Sequence, residues 1–250
     1  MKRNMLLVLI LMPISLAAQS QPTQAKPSGG PMPQPPTSRQ FLLDHGIDLK
    51  PESLQAALEN PDPVIRGAAA MELATEKITS SAPKIKEALI KETDPVAKLR
   101  LASSLTSVSP DDGKSFMIEL CQDLSNGKRP ALAAARALML LDRQGTSALS
   151  CVPTLMTVLR DSSDPPHQAD ALSALTIYRP ILQDSSLSEI QSLSLSFMKS
   201  KNFTMQIAAA KFLAAEGSGQ SIDAVRQAIA AEPNSDHRAL MTHALQSMGR

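Results

Sequence analysis

Asp62-Pro63-Val64-Ile65-Arg66-Gly67-Ala68-Ala69-Ala70-Met71-Glu72-Leu73 is the stretch whose reading decides the fold. A carboxylate that can accept from the free amides of a helix's first turn precedes a proline at the first helical position, where a missing amide costs nothing. Ile65 and Leu73 stand eight residues apart and so point to one face, with Ala69 and Ala70 between them. The pattern returns from Asp94 to Leu105 and, more weakly, from Gly127 to Leu138, Asp164 to Leu175, Asn202 to Leu213 and Asn234 to Leu245. Its starts lie 32, 33, 37, 38 and 32 residues apart. A period in that range predicts a solenoid of stacked helical hairpins.

Each copy supplies the second helix of a pair. The alanine runs Ala68–Ala70, Ala133–Ala135 and Ala208–Ala210 let neighbouring helices approach closely. First helices are expected over Leu54–Glu59, Ile85–Lys91, Phe116–Leu124, Leu149–Leu159, Ile190–Met198 and Ile222–Ile229, with Gly145, Gly217 and Gly219 at helix ends. No stretch alternates long enough to form a strand. The expected fold is all-α, a right-handed α-solenoid of about six two-helix repeats over residues 51–250. Residues 38–50 are read as a cap over the first repeat's apolar edge, which solenoids need for solubility.

The composition agrees with a helical core. Of 250 residues 43% are hydrophobic but only 2% aromatic, with no Trp, so the interior must be Ala, Leu, Ile, Val and Met. Lys plus Arg is 25 against 24 for Asp plus Glu, and no long run of one sign exists, so bulk attraction to nucleic acid is not indicated.

The N-terminus reads as an export signal. Lys2 and Arg3 precede the apolar run Met5–Met12, and small residues near Ser15–Ala17 and Ala18–Ser20 suit a signal peptidase. With Pro13 inside it, the apolar stretch is short of the ~20 residues a membrane span needs. Residues 1–20 are therefore expected to be removed, leaving no membrane span. Residues 21–37, rich in Pro and Gly, are read as a disordered linker that cannot bury enough surface to offset its ordering entropy.

The motif Asp62-Pro63-Val64-Ile65-Arg66, followed by Ala68, Ala69, Ala70 and Leu73, resembles the second helix of a HEAT repeat of the short bacterial kind related to phycobilisome-lyase repeats. The resemblance implies a polar ladder between repeats from the arginine position. Arg66, Lys98 and Arg238 match it; Ala131, Gln168 and Gln206 do not, so a ladder broken in the middle is expected. It also raises an alternative function, a lyase-like enzyme or enzyme-helper subunit. No residue here can be given a catalytic role on that ground.

The search for chemistry yields no catalytic residue, no cofactor and no metal site. His237 and His243 are six residues apart, about 240° round a helix. No His-Glu dipeptide and no Gly-x-Ser-x-Gly elbow is present. Gly217-Ser-Gly219-Gln-Ser221 follows a helix and lacks a lysine, so it reads as a helix stop and restart. Cys121 and Cys151 are the only cysteines. If Leu120 and Leu155 are equivalent, the two stand about 7 Å out of step along axes about 9 Å apart, so two buried free thiols are expected.

The functional expectation is a non-enzymatic, exported, monomeric or weakly self-associating scaffold of the periplasm or extracellular space. It would bind a protein or peptide through its second helices. Nine residues after each start come Met71, Ser103, Arg136, Ser173, Lys211 and His243, the candidate partner-binding row. With basic members from the third repeat onward, the chemistry such a row would take is an acidic peptide or glycan, the absence of Trp and a single Tyr counting against sugar stacking. The last helix, with Leu240, Met241, Leu245 and Met248, has no following repeat and offers a route to self-association.

Overall fold

The computed structural model describes residues 37–141 and 146–247. The expected signal segment, nearly all of the linker, Gly145 and Met248 lie outside the described residues. Within them the chain is all-helical and folds as the helical-repeat solenoid the motif predicts. Helix α1 is Ser38–Asp44. Six hairpins follow: α2 Pro51–Ala57 with α3 Pro63–Thr75, α4 Ala82–Lys91 with α5 Pro95–Val108, and α6 Pro110–Gln122 with α7 Lys128–Leu141. The last three are α8 Val152–Arg160 with α9 Pro165–Tyr178, α10 Asp184–Phe197 with α11 Phe203–Glu216, and α12 Gly219–Ala231 with α13 Ser235–Ser247.

The second helices start where the cap residues place them. Asp62 Oδ1 accepts from the Val64 amide at 2.8 Å, and Asp94 Oδ1 from Val96 and Ala97 at 3.0 and 2.8 Å. Asn202 and Asn234 cap in the same way, receiving the amides of Met205 and His237. Each second helix packs on its own first helix and on the second helices before and after it. Three covered sides leave one open stripe. Seven residues past the cap come Ala69, Leu101, Ala134, Ala171, Ala209 and Met241, all buried. Eleven past come Leu73, Leu105, Leu138, Leu175 and Leu213, each fully buried, and Leu245, half-buried on the last described helix. Small residues in the first row set the helix spacing, and leucines in the second fill the space behind.

The hairpin corners use a shared device. In four of the six hairpins the side chain four residues past the cap donates back to carbonyls in the last turn of the first helix or in the connection after it. Arg66 Nη1 donates to the carbonyls of Asn60 and Pro61, and Arg238 Nη1 to those of Glu232 and Pro233. Gln168 Nε2 reaches Leu159 O at 2.7 Å, and Gln206 Nε2 reaches Ser200 O at 2.8 Å. As expected, Ala131, Gln168 and Gln206 make no side-chain bond to the next repeat among the described residues; the two glutamines instead satisfy carbonyls inside their own hairpins. An amide N–H serves as well as a guanidinium because the task is to satisfy carbonyls inside one hairpin. Only Arg66 also crosses to the next repeat, pairing through Nε and Nη2 with both oxygens of Glu92 at 2.7 and 2.6 Å. The Glu92 side chain is fully buried there. Burial raises its carboxyl pKa, but Arg66 and the amides of Asp94 and Thr93 outweigh that and leave it below the ordinary value.

Two expectations fail in the middle of the chain. Helix α6 begins at Pro110 rather than Phe116, with only Ser109 between it and the end of α5. The corner is so tight that a Cβ at Gly113 would run into the backbone of Thr106. The second failure concerns the cysteines, which form a disulfide, Cys121–Cys151, with Cα atoms 5.5 Å apart. Cys151 does not lie within a continuous first helix. It ends a 3₁₀ turn, Thr146–Cys151, that packs across α6 before α8 begins at Val152. The turn breaks the assumed equivalence of Leu120 and Leu155 and carries Cys151 alongside Cys121.

Two outcomes follow. Gly113→Ala overpacks against backbone that cannot yield and lowers stability by at least about 1–3 kcal/mol, read as a fall in urea midpoint at unchanged slope. Alkylation of the unfolded protein adds two groups only after reduction, and Cys121→Ser with Cys151→Ser costs about 3–4 kcal/mol for a closed loop spanning a separation of 30 residues.

Candidate functional site

The open stripe is the surface that the stacking leaves free. A helical face recurs at steps of four, three and four residues. Two residues past the cap lie Val64, Val96, Arg129, Pro166, Thr204 and Asp236, and all six are exposed. Nine past lies the candidate row. Of it, Arg136, Lys211 and His243 are exposed, while Met71, Ser103 and Ser173 are partly covered. The stripe therefore runs along all six repeats with the predicted row at its centre.

Its members differ in how free they are. Met71 lies under α1, where the Ser38 hydroxyl approaches its Sδ at 3.8 Å. Arg39 of α1 also pairs with Glu72 and Glu76, so α1 covers the C-terminal half of α3. Ser173 turns its hydroxyl to Ala169 O at 2.8 Å, within its own helix. Residues 129 and 100 are the stripe members that reading one row alone missed. Arg129 stands seven residues before Arg136, a spacing that places both on one face. Arg100 stands six past its cap, between the two rows.

The other polar clusters act as fasteners. On the first-helix side, Lys86 pairs with Asp112 at 2.7 Å and Arg160 with Glu189 at 2.7 Å, each joining one repeat to the next. Gln191 does the same by donating to the hydroxyls of Ser218 and Ser221. A shallow groove of about 530 Å³ lies between α2 and α4, lined by Asn60, Arg66, Lys84, Glu87, Lys91 and Glu92 among others. Arg66–Glu92 and Lys91–Glu87 neutralise one another across it. Tyr178 is fully buried and donates to Ala135 O at 2.8 Å, tying α9 to α7, and burial holds its phenol well above the ordinary value. Among the described residues no group of three His, Cys, Asp or Glu is placed to hold a metal ion, and no helix is long and apolar enough to cross a membrane.

At the start of α7, Lys128 Nζ bridges Asp161 and Asp164 of the next repeat, and Asp164 also meets His167 Nδ1 at 2.7 Å. Hydrogen bonds from Lys128 and then Ser163 hold the Asp161 carboxyl at about 2, against an ordinary 3.8. A depressed carboxylate pKa contributes stability that is present above the ordinary value and is lost as pH falls through the depressed one. The melting-temperature advantage of the parent over Lys128→Gln is therefore full at pH 6 and shrinks between about pH 4 and pH 2, as thermal melts across that range will read.

No protein-family model and no curated protein matches this chain. Two solved structures resemble it in chain path. One is an engineered protein, 18% identical with a TM-score of 0.46, the match taking in 79% of this chain and 96% of that one. The other is the complex of CpcE and CpcF of phycocyanin lyase from Nostoc sp. PCC7120, 14% identical with a TM-score of 0.39, covering 91% of this chain and 100% of that one. The fold itself stands on the packing described above.

Proposed function

We propose that this chain is an exported, non-catalytic helical-repeat scaffold that binds a protein partner through the open stripe of its second helices. The observation that carries this reading is the stripe itself. Successive second helices are covered by their own first helix and by their neighbours in the stack and present the remaining side, and the row two past the cap is exposed in every repeat. A continuous surface of that length, made by stacking, is the usual binding face of a solenoid. The polar groups elsewhere are engaged in fastening repeats together.

Two features support export. One is the basic, then apolar, then small-residue order of the first twenty residues. The other is the Cys121–Cys151 disulfide, a bond that persists in oxidising compartments.

The test places a photo-crosslinking residue at Ser103, Ser173 or Lys211 of the full chain in its own host, with Ile90 of α4 as a control. Ile90 is 65% exposed but lies on a first helix. One dominant protein adduct from the second-helix positions in the envelope fraction, and none from Ile90, is the expected result. No adduct, or equal adducts from Ile90, overturns the scaffold reading. A chain that stays full-length in the cytoplasm overturns export.

A further inference from the structure

The arginines divide into two sets. Arg39, Arg66, Arg160, Arg179, Arg226 and Arg238 each donate to a carboxylate or a backbone carbonyl. For Arg100, Arg129 and Arg136 no carboxylate or carbonyl stands within bonding distance among the described residues. These three share one stripe on two neighbouring second helices, α5 and α7, at six, two and nine residues past their caps. On α9 the position equivalent to Arg100 is Asp170, which is exposed.

An arginine fork left without acceptors is suited to take two carboxylate oxygens at once. Arg100 is already held for the purpose. Its stem lies over Gly67, where an added Cβ would come within 2.8 Å of Arg100 Cδ, so less side-chain freedom remains to be lost on binding. Arg129 and Arg136 are seven residues apart, about 10 Å along a helix. That is close to the ~9 Å rise of one three-residue turn of a polyproline-II strand, so acidic side chains three apart reach both. Apolar side chains flank the cations: Val96 on α5 is 50% exposed and Leu140 on α7 is 40% exposed. A polysulfated sugar would have no use for them, and the stripe has no Trp, Tyr or Phe on which a sugar ring could stack.

Resting on the scaffold reading above, we infer that Arg100, Arg129 and Arg136 form the docking site for an extended acidic peptide segment of the partner. Its carboxylates take the guanidinium forks and its apolar side chains lie on Val96 and Leu140.

The probe is a short fluorescein-labelled peptide of repeating Glu-Pro-Leu, titrated by anisotropy with the full chain. Gln-Pro-Leu and heparin serve as comparisons. The Glu peptide is expected to bind at least about tenfold tighter than the Gln peptide at low salt and to weaken as salt approaches physiological strength. Arg129→Glu with Arg136→Glu should weaken it by about tenfold or more, while Lys199→Glu, exposed past the end of α10 and off the stripe, leaves it unchanged. Equal binding of the two peptides, no binding of either, or unchanged affinity in a double variant that melts like the parent overturns the proposal. So does tighter heparin binding with peptide affinity indifferent to Val96→Ser plus Leu140→Ser. The crosslinking experiment separates the two readings. A partner captured from the second helices but insensitive to the double variant sinks the acidic site and leaves the scaffold standing.

Discussion

The close approach of one second helix to the next is the constraint on which the rest of this structure depends. Alanine stands seven past the cap in four of the six repeats and lets the axes approach, while Leu101 and Met241 fill the same buried position in the second and sixth. With axes close, the leucines eleven past the cap meet those of the neighbouring repeats and are sealed from water. Everything outward follows. The first helices are pressed against the row of second helices, their ends are turned inward, and the carbonyls at those ends must be satisfied by side chains. Arg66, Gln168, Gln206 and Arg238 are the answer to that demand.

The repeat motif was legible because it is local. An aspartate before a proline writes a helix start into two residues, and the cap hydrogen bonds at Asp62 and Asp94 are what that pair of residue types implies. The hairpin interior was legible for the same reason, since leucine and alanine recur at fixed steps. What escaped was the part governed by contacts between elements. The start of α6 was hidden because its apolar residues begin later than its helix. Pro110, Asp111 and Asp112 carry the start signal, and the apolar stripe only joins a turn later. The disulfide was hidden by a 3₁₀ turn, whose tighter pitch changes the register of everything after it. Arg129 was overlooked because only one row was followed; a step of seven back from Arg136 finds it.

Charge is sorted by location in this molecule. At the corners Arg66 and Arg238, and between first helices Lys86 and Arg160, meet a carboxylate or a carbonyl, and those contacts hold hairpins and repeats in register. On the exposed stripe the cations are left apart. The exposed pairs contribute little stability one by one, since water screens them and long side chains must be ordered to form them. Arg66–Glu92 is the exception, with the carboxylate fully buried and its Oε1 also accepting from the Thr93 and Asp94 amides. A buried pair of this kind is costly to break from one side, and it locks the first repeat to the second.

The bridge between Cys121 and Cys151 has a mechanical consequence. A solenoid pulled from its ends gives way helix by helix, because each repeat is held only by its neighbours. Tension entering at Cys121 leaves at Cys151 through the sulfur atoms, so the 30-residue span between them bears no load. Roughly 100 Å of extended chain is withheld from stretching in this way. The withheld span contains all of α7, and with it Arg129 and Arg136. The ends of the molecule can lengthen and recoil while this helix keeps its shape.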